Sequence, residues 1–292
     1  MAPFDVKIAF LISYNNDNIK RKITFEEEII MSNKTALITG ATGGLGKEFV
    51  RIHAEKGGDL VIVGRNPQKL EQLQHDVQNK YHVKVTTIAV DFTEFDAAEQ
   101  IFGELQKANI QVDYLINNAG LGGQGTFLER TMEQDINMAK VNMIVPTKLM
   151  KLILPQMVKR GSGRVLNVSS LAALVPGPLQ AEYYATKAYL TSLSDALWYE
   201  LKDTGVTLTT LMPGAMETGF AKAGDLTNTK MFANAVSPKK VAEEGYQAML
   251  NGKMNVYTGL RGWQQPFASM MPIMPKKAMM RFVADQQSNN KK

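Results

Sequence analysis

The chain has 292 residues, of which 45% are hydrophobic and 21% are charged, proportions typical of a soluble globular protein. It contains no cysteine, which excludes disulfides, thiolate metal sites and cysteine nucleophiles and fits an intracellular protein. The formal net charge is +5, but the basic residues are scattered rather than gathered in a stripe. We therefore expect no nucleic-acid partner and no resident metal ion.

The first 31 residues stand apart from the rest of the chain. The apolar run KIAFLISY (7–14) is too short to span a bilayer, which needs about 20 residues. The polar NNDN follows it without an evident small-residue cleavage site, which argues against a signal peptide. We expect residues 1–31 to be an extension or tag, with Met31 as a candidate native start. We also expect a cytoplasmic protein without a transmembrane segment.

From residue 34 onward, short apolar runs alternate with helical patterns. The runs are TALIT (35–39), DLVIVG (59–64), VKVTTIAV (83–90), VDYLIN (112–117), RVLNVS (164–169), VTLTTLM (206–212) and MNVYTG (254–259), and the longest helical patterns cover 131–159 and 182–203. Fully apolar strands that alternate with helices indicate a parallel sheet covered on both faces. Because no repeat or linker interrupts the series, the sequence predicts one α/β domain over 32–260, with the doubly wound parallel sheet of a Rossmann fold.

The turn after the first strand reads TGATGGLG (39–46), with glycines at Gly40, Gly44 and Gly46. Glycine allows a tight turn and a close approach of the backbone, and the following helix offers free N–H groups to an anion. This pattern favours a bound dinucleotide, although a turn that serves only helix packing is the alternative. The phosphate-binding pattern GxxxxGK[ST] is absent, because Lys47 is followed by Glu48, and GxGxxG is absent too.

Arg65 follows the second strand, directly after Gly64. A site that prefers NAD(H) places Asp or Glu near this point for the ribose 2′-hydroxyl, whereas a cation suits a 2′-phosphate. The sequence therefore favours NADP(H), while NAD(H) stays possible and an ordinary surface arginine is the alternative.

Tyr183 and Lys187 are four residues apart, so they share one face of a helix. A nearby ammonium lowers the pKa of a phenol, which would make Tyr183 a proton donor or acceptor for a carbonyl or alcohol. Tyr184 lacks this partner, since Ala188 stands at the same offset. Ser170 ends the preceding strand, where its hydroxyl could bind a substrate oxygen or cap a turn.

In their order and spacing, these motifs resemble the short-chain dehydrogenases/reductases over nearly all of 34–260. Further matches are VDF (90–92), NNAG (117–120), Asn142 in a helix and PGAMET (213–218). One departure is Gly43, where many NADP-preferring members carry a basic residue. The resemblance implies that the cofactor is bound by Gly40, Thr42, Gly44, Leu45, Gly46, Arg65, Asp91, Phe92, Asn118, Ala119, Gly120, Tyr183, Lys187, Pro213, Gly214 and Thr218.

The resemblance also implies hydride transfer between nicotinamide and a carbonyl or alcohol. Tyr183 would exchange the proton, Ser170 would orient the oxygen, and Lys187 would bind the ribose and lower the Tyr183 pKa. Asn142 would support a water chain to solvent. Two alternatives stay open, namely a dinucleotide-binding regulator without catalysis and a relative of the sugar-nucleotide epimerases or dehydratases.

Three variable segments are expected to select the substrate: 121–127, 171–181 and the lid 219–237. Their apolar residues favour an apolar ketone, aldehyde or alcohol, such as an acyl or steroid-like compound. The methionine-rich tail 261–292 is expected to form part of a lid or a subunit contact, and Pro272 and Pro275 argue against one continuous helix there. Apolar residues on the two long helices predict a homodimer or homotetramer, as in the resembling family.

Overall fold

The computed structural model describes residues 34–260 and 264–288, so the expected extension over 1–31 lies outside the described residues. Within them, seven parallel strands form one sheet in the order β3-β2-β1-β4-β5-β6-β7. This confirms the predicted doubly wound sheet in a single domain. The strands are β1 (Thr35–Thr39), β2 (Asp59–Gly64), β3 (Val85–Ala89), β4 (Tyr114–Asn117), β5 (Gly163–Val168), β6 (Val206–Pro213) and β7 (Asn255–Thr258).

Helices connect the strands and cover both faces of the sheet. They are α1 (Gly44–Glu55), α2 (Pro67–Tyr81), α3 (Ala97–Lys107), α4 (Met132–Ala139), α5 (Val145–Arg160), α6 (Ala181–Glu200), α7 (Gly219–Ala223), α8 (Pro238–Leu250), α9 (Gln264–Met270) and α10 (Lys276–Gln287). Short 3₁₀ turns lie at Leu171–Leu174, Lys230–Asn234 and Met271–Ile273. None of the described helices is long and apolar enough to cross a membrane.

The apolar runs of the sequence are strands buried on both faces. In β1, Ala36 and Ile38 pack under α1, α2 and α8, while Leu37 packs under α3 and α5 on the other face. This alternation explains why the strands read as continuous apolar runs. Because β1 pairs with both β2 and β4, the strand order reverses beside β1, and the ends of these strands form the crevice where ligands bind in such sheets.

The predicted bounds of β1 and β2 agree with the structure, and those of the other strands shift by one or two residues. The helical pattern over 131–159 is divided by a π-helical segment at Lys140–Ile144, which the sequence did not reveal. In the tail, α9 and α10 are separate helices on either side of Pro272 and Pro275, as the prolines predicted.

The apolar side chains of the two long helices that supported the predicted oligomer are mostly core; the set comprises Met138, Val141, Met143, Leu149, Leu152, Ile153, Leu190, Leu193, Leu197 and Trp198. Of this set, Met138, Val141, Leu149, Ile153 and Leu190 are buried, and Leu152, Leu193 and Leu197 pack against the same core. Met143 and Trp198 are half-buried. The surplus apolar surface that supported an oligomer is therefore largely used inside the domain.

Candidate active site

The glycine turn joins β1 to α1 at the crevice. Gly40 has a φ of +65°, a left-handed conformation that favours glycine. A Cβ on Gly46 would lie 2.2 Å from the Gly40 carbonyl oxygen, and a Cβ on Gly44 would lie 2.9 Å from the Thr218 side chain. The atoms that approach these glycines closely belong to the chain itself, so packing alone already requires glycine at these positions.

Beside these glycines, the N-terminus of α1 is open. Gly43 is its N-cap, and no side chain caps it. A Cβ on Gly43 would meet no atom closer than the Gly40 carbonyl oxygen at 3.4 Å, so the backbone there has free space. The Leu45 side chain is buried in the core, and its backbone N–H lies in the first turn of the helix. Uncapped N–H groups at the positive end of a helix dipole suit a pyrophosphate.

The NNAG segment binds the glycine turn through Thr39. The Thr39 hydroxyl oxygen accepts hydrogen bonds from the backbone N–H groups of Asn118 and Ala119, both at 3.0 Å. The Asn118 side chain donates to the carbonyl oxygens of Thr39 and Gly40 at 2.9 and 3.2 Å. A Cβ on Gly120 would lie 3.5 Å from both Asn142 Oδ1 and Lys187 Nζ. The end of β4 therefore links the turn to the Tyr–Lys helix.

Charged groups follow β2 and β3 at the same edge. Arg65 is exposed, and its charge contributes to lowering the pKa of Asp91. The main cause of that lower pKa is the backbone N–H of Thr93, which donates to Asp91 Oδ1 at 2.9 Å. Phe92, the next residue, is buried in the core. Thr42 lies close by, with its hydroxyl oxygen 3.6 Å from where a Cβ on Gly64 would be.

Ser170, Tyr183 and Lys187 come together at the end of β5. The Ser170 hydroxyl lies close enough to the Tyr183 hydroxyl to contribute to lowering the pKa of the phenol, and Ser170 Oγ accepts from the N–H of Ala172 at 3.1 Å. Lys187 Nζ lies 5.8 Å from the centre of the Tyr183 ring and donates to the carbonyl oxygen of Val168 at 2.8 Å. The three side chains predicted to be catalytic thus lie together, and Ser170 also caps the turn that follows it.

The pKa of Tyr183 differs from the sequence expectation. Burial raises it to about 12, and the nearby Ser170 hydroxyl offsets only part of that rise. Burial also lowers the pKa of Lys187 to about 8. Lys187 Nζ donates to the Val168 carbonyl and lies over the Tyr183 ring, and burial is the main cause that sets the phenol pKa.

Asn142 lies in the π-helical segment and is 1% exposed. Its Oδ1 accepts from the N–H of Leu121 at 2.8 Å, and its Nδ2 donates to the Leu121 carbonyl at 2.9 Å and to Thr186 Oγ1 at 3.0 Å. Asn142 therefore ties the segment after NNAG to α6 beside Lys187.

Buried polar contacts hold α6 on the sheet. Ser169 donates to the Lys187 carbonyl at 3.1 Å, and Asn167 donates to Ser194 at 2.8 Å. Asn117 donates in turn to Asn167 at 2.8 Å, which links β4, β5 and α6. Buried networks of this kind fix side-chain positions, here those of the Tyr–Lys helix.

The remaining predicted cofactor residues follow β6. Pro213 ends this strand, and the N–H of Gly214 donates to the carbonyl of Thr258 at 3.0 Å. Thr218 is the N-cap of α7 and places its side chain against Gly44, as described above. The segment after β6 therefore reaches the glycine turn.

The three segments expected to select the substrate converge in the structure. The N–H of Gln124 donates to the Gly224 carbonyl at 3.0 Å, and the N–H of Gly125 donates to the Leu179 carbonyl at 2.9 Å. Phe220 of the third segment packs against Gly122, and its ring centre lies 5.6 Å from that of Tyr183. Tyr183 therefore has an apolar neighbour from the segment predicted to be a lid.

Sequence reasoning missed Thr39, Phe220 and Gln287 as site residues. Thr39 is the first residue of the TGxxxGxG motif, so the motif itself could have indicated that Thr39 belongs to the site. Phe220 and Gln287 meet the site through contacts distant in sequence, which no local pattern indicates. Among the described residues, no group of three His, Cys, Asp or Glu side chains is placed to hold a metal ion.

Comparison with known proteins agrees with this geometry. The family model for short chain dehydrogenase matches residues 34–228. The chain is 32% identical to the very-long-chain 3-oxoacyl-CoA reductase of Mus musculus, over 74% of this chain and 70% of that protein. The protein of the same name from Bos taurus is 33% identical, with the same coverage.

A solved structure shows the same fold. It is a short-chain dehydrogenase from Sphingobium yanoikuyae in complex with NADPH, with 25% identity and a TM-score of 0.74 over 86% of this chain and 96% of that one. The match of the family model, the parallel sheet and the converging Ser–Tyr–Lys set lead to one conclusion. The chain belongs to the short-chain dehydrogenases, oxidoreductases that act on CH–OH or C=O groups.

Proposed function

We propose that this enzyme uses NADPH to reduce an apolar ketone, and that the 3-oxo group of a long-chain acyl thioester is its substrate class. The observation that carries the proposal is the convergence of Ser170, Tyr183 and Lys187 beside apolar side chains from the lid and the tail. The names of the two mammalian relatives support an acyl thioester.

The hydroxyl pair is suited to reduction. Because burial raises the pKa of Tyr183 to about 12, its phenol carries a proton at neutral pH and can give it to a carbonyl oxygen. Ser170 donates a second hydrogen bond to the same oxygen and polarises the carbonyl. When bound, NADPH supplies the hydride that the carbonyl carbon accepts.

Lys187 completes the proton transfer. Its ammonium stabilises the phenolate that remains on Tyr183 after the carbonyl oxygen takes the proton. Its own pKa of about 8 allows it to exchange a proton close to neutral pH. Asn142 keeps this lysine beside the NNAG segment through Thr186, and we assign it to the relay that returns the proton.

The cofactor residues fit a dinucleotide with a 2′-phosphate. The open N-terminus of α1 at Gly43 offers N–H groups to the pyrophosphate, and we assign Asp91, which follows β3 at the same edge of the sheet, to the adenine. Arg65 is the exposed cation for the 2′-phosphate. The Sphingobium structure, which holds NADPH, supports this choice.

The apolar surroundings of Tyr183 support an apolar substrate. One buried cluster contains Ala172 and Val175 of the segment after Ser170, together with Met279 and Val283 of α10. Tyr183 itself packs against this cluster. An acyl chain or another apolar body would bury its surface here at about 25 cal/mol per Å².

The test follows NADPH consumption by absorbance with a panel of carbonyl compounds. The panel contains long-chain and short-chain 3-oxoacyl thioesters, a steroid ketone, a small aldehyde and a nucleotide sugar. We expect the long-chain thioester to have the highest kcat/KM. Binding of NADPH without turnover of any compound would favour the regulator. Because an epimerase or dehydratase consumes no net nicotinamide cofactor, the nucleotide sugar is also incubated with NADP⁺ or NAD⁺ and analysed by chromatography, and conversion of this compound alone would favour the epimerase relatives.

We also propose a homodimer or homotetramer, although the apolar residues first considered for it are core. The same helices still expose Ile136 and Tyr199, at 51% and 62%, and Tyr189 at 37%. Light scattering at micromolar concentration tests the assembly, and the mass of one chain at every concentration would contradict it. A cytoplasmic location stays a prediction.

A further inference from the structure

Gln287 is the last residue of α10, and its side chain is fully buried. A buried amide is costly unless its polar atoms are hydrogen-bonded. Its Nε2 donates to the Tyr184 hydroxyl at 3.1 Å, and its Oε1 accepts from Gln180 Nε2 at 2.5 Å. Its backbone carbonyl accepts from Gln124 Nε2 at 2.6 Å. We call the group Gln124, Gln180, Tyr184 and Gln287 the glutamine clasp.

The partners of Gln287 belong to the substrate side of the site. Gln124 lies in the segment 121–127, Gln180 lies in 171–181, and Tyr184 adjoins the catalytic Tyr183. Gln287 Nε2 also lies 3.4 Å from the sulfur of Met231, in the third segment, 219–237. One residue near the end of the described chain therefore joins all three segments to α10.

Gln180 depends on this contact. Its side chain is 2% exposed, and its Oε1 has no hydrogen-bond partner among the described residues. Gln180 is also the N-cap of α6, and its carbonyl accepts from the N–H of Tyr184 at 3.1 Å. The amide of Gln287 thus holds the residue that begins the helix of the catalytic pair.

The glutamine clasp also positions a set of apolar side chains beside Tyr183, which we call the apolar wall. Met279 and Val283 of α10 pack with Val175 and Tyr184, and Phe267 of α9 packs against the same cluster. If α10 moved away, this wall would leave Tyr183 while the Ser170 and Tyr183 hydroxyls stayed in place. A long apolar substrate needs both the wall and the hydroxyl pair, whereas a small carbonyl needs only the pair.

We propose that Gln287 is a positioning residue that holds α10 against the three substrate segments. It thereby raises kcat/KM for long substrates relative to small ones. The inference rests on the proposed function, because it assumes that a long apolar substrate occupies the site. Gln287 acts through Gln180, Tyr184 and the apolar wall, and its role is distinct from proton transfer.

The test compares Gln287→Leu with Gln286→Leu. The control makes the same change one residue earlier, where the amide only meets the exposed Asp285 at 3.3 Å. Because leucine leaves buried partners unpaired, we expect Gln287→Leu to lower kcat/KM for a long-chain 3-oxoacyl thioester by about tenfold or more. Turnover of a small ketone and the affinity for NADPH should change little, and Gln286→Leu should match the parent protein in each assay.

Equal losses for long and small substrates, or equal effects of the two variants, would overturn the proposal. A double-mutant cycle adds a second arm, since Tyr184→Phe removes the same hydrogen bond with a smaller change. In the Gln287→Leu background, Tyr184→Phe should have almost no further effect on the long substrate. Additive losses would contradict the link between these residues. If Gln287→Leu does not fold, Tyr184→Phe alone must still lower turnover of long substrates more than that of small ones.

Amide hydrogen exchange separates a failure of this proposal from a failure of the proposed function. If the parent enzyme reduces no ketone with NADPH, the proposed function is wrong, but the clasp can still be tested. Gln287→Leu should then speed exchange in 172–180, while Gln286→Leu should not. Unchanged exchange in both variants would contradict the role of Gln287.

Discussion

The two sides of the catalytic edge are built from different kinds of contact. On the cofactor side, the glycine turn and the NNAG segment follow the neighbouring strands β1 and β4, and Thr39 joins them through backbone N–H groups. On the substrate side, the contacts reach from Gln287 to residues 103 to 163 positions away through side-chain amides. Both sides join distant parts of the chain, but the residues in contact on the cofactor side belong to recognisable short motifs, whereas those on the substrate side belong to none.

The largest expected effect lies where the two sides meet. Tyr183→Phe should lower kcat by about 10²-fold or more, because the proton donor is lost while the ring still packs. NADPH affinity, measured by fluorescence titration, should be retained. The matched control is Tyr184→Phe, which should keep at least about a tenth of the activity. If the two variants lose activity equally, the catalytic tyrosine has been assigned wrongly.

The next effect tests the cofactor side alone. Arg65→Asp should weaken NADPH binding by about tenfold to a hundredfold, because a charge-assisted hydrogen bond contributes roughly 1.5–3 kcal/mol. NADH binding should change little, since NADH has no 2′-phosphate. Dissociation constants for both nucleotides, before and after the change, measure the effect. A parent protein that binds NADH and NADPH equally would contradict the assignment.

A smaller effect separates the packing of the glycine turn from its ligand. An alanine at Gly46 would place Cβ 2.2 Å from a carbonyl oxygen, so Gly46→Ala should lower the free energy of unfolding by about 1–3 kcal/mol. At Gly43, Cβ has its nearest neighbour at 3.4 Å, so Gly43→Ala should unfold like the parent protein. Chemical denaturation without cofactor measures both, and equal losses would contradict this account of the turn.

The fourth prediction concerns the opposite edge of the sheet, away from the site. His53 is buried between the Tyr246 hydroxyl at 2.6 Å and the Lys34 carbonyl at 2.9 Å, and burial lowers its pKa to about 4. In the unfolded chain histidine has a pKa of about 6.5 and takes up a proton first as the pH falls. The contribution of neutral His53 to the free energy of unfolding is therefore complete above pH ~6.5 and is lost as the pH falls through ~4.

The loss approaches about 3 kcal/mol when the pH falls from 6.5 to 4, at about 1.4 kcal/mol per pKa unit. Urea unfolding across this pH range measures it. The variant His53→Gln should lack this part of the slope, whereas His75→Gln, at an exposed position, should keep it. An identical slope in both variants would show that His53 does not titrate as described.

The difference between the cofactor side and the substrate side also explains which features the sequence could predict. The order and nature of the strands follow from apolar runs, and β1 and β2 agree to the residue because each is bounded by polar or glycine positions. The proximity of Ser170, Tyr183 and Lys187 could be predicted because two of them share a helix face and the third follows a strand, whereas their catalytic role stays a prediction. The raised pKa of Tyr183 was not found, since it depends on burial by Phe220 and the tail, which no spacing records.

The most direct test of the central claim follows the hydride from NADPH to the product. The enzyme is supplied with a long-chain 3-oxoacyl thioester and with NADPH deuterated at C4 in either of its two stereochemical forms, and the hydroxyacyl product is analysed by mass spectrometry. We expect one form to place a deuterium on the new carbinol carbon and the other to place none. A product without deuterium from both forms, or no product at all, would contradict it.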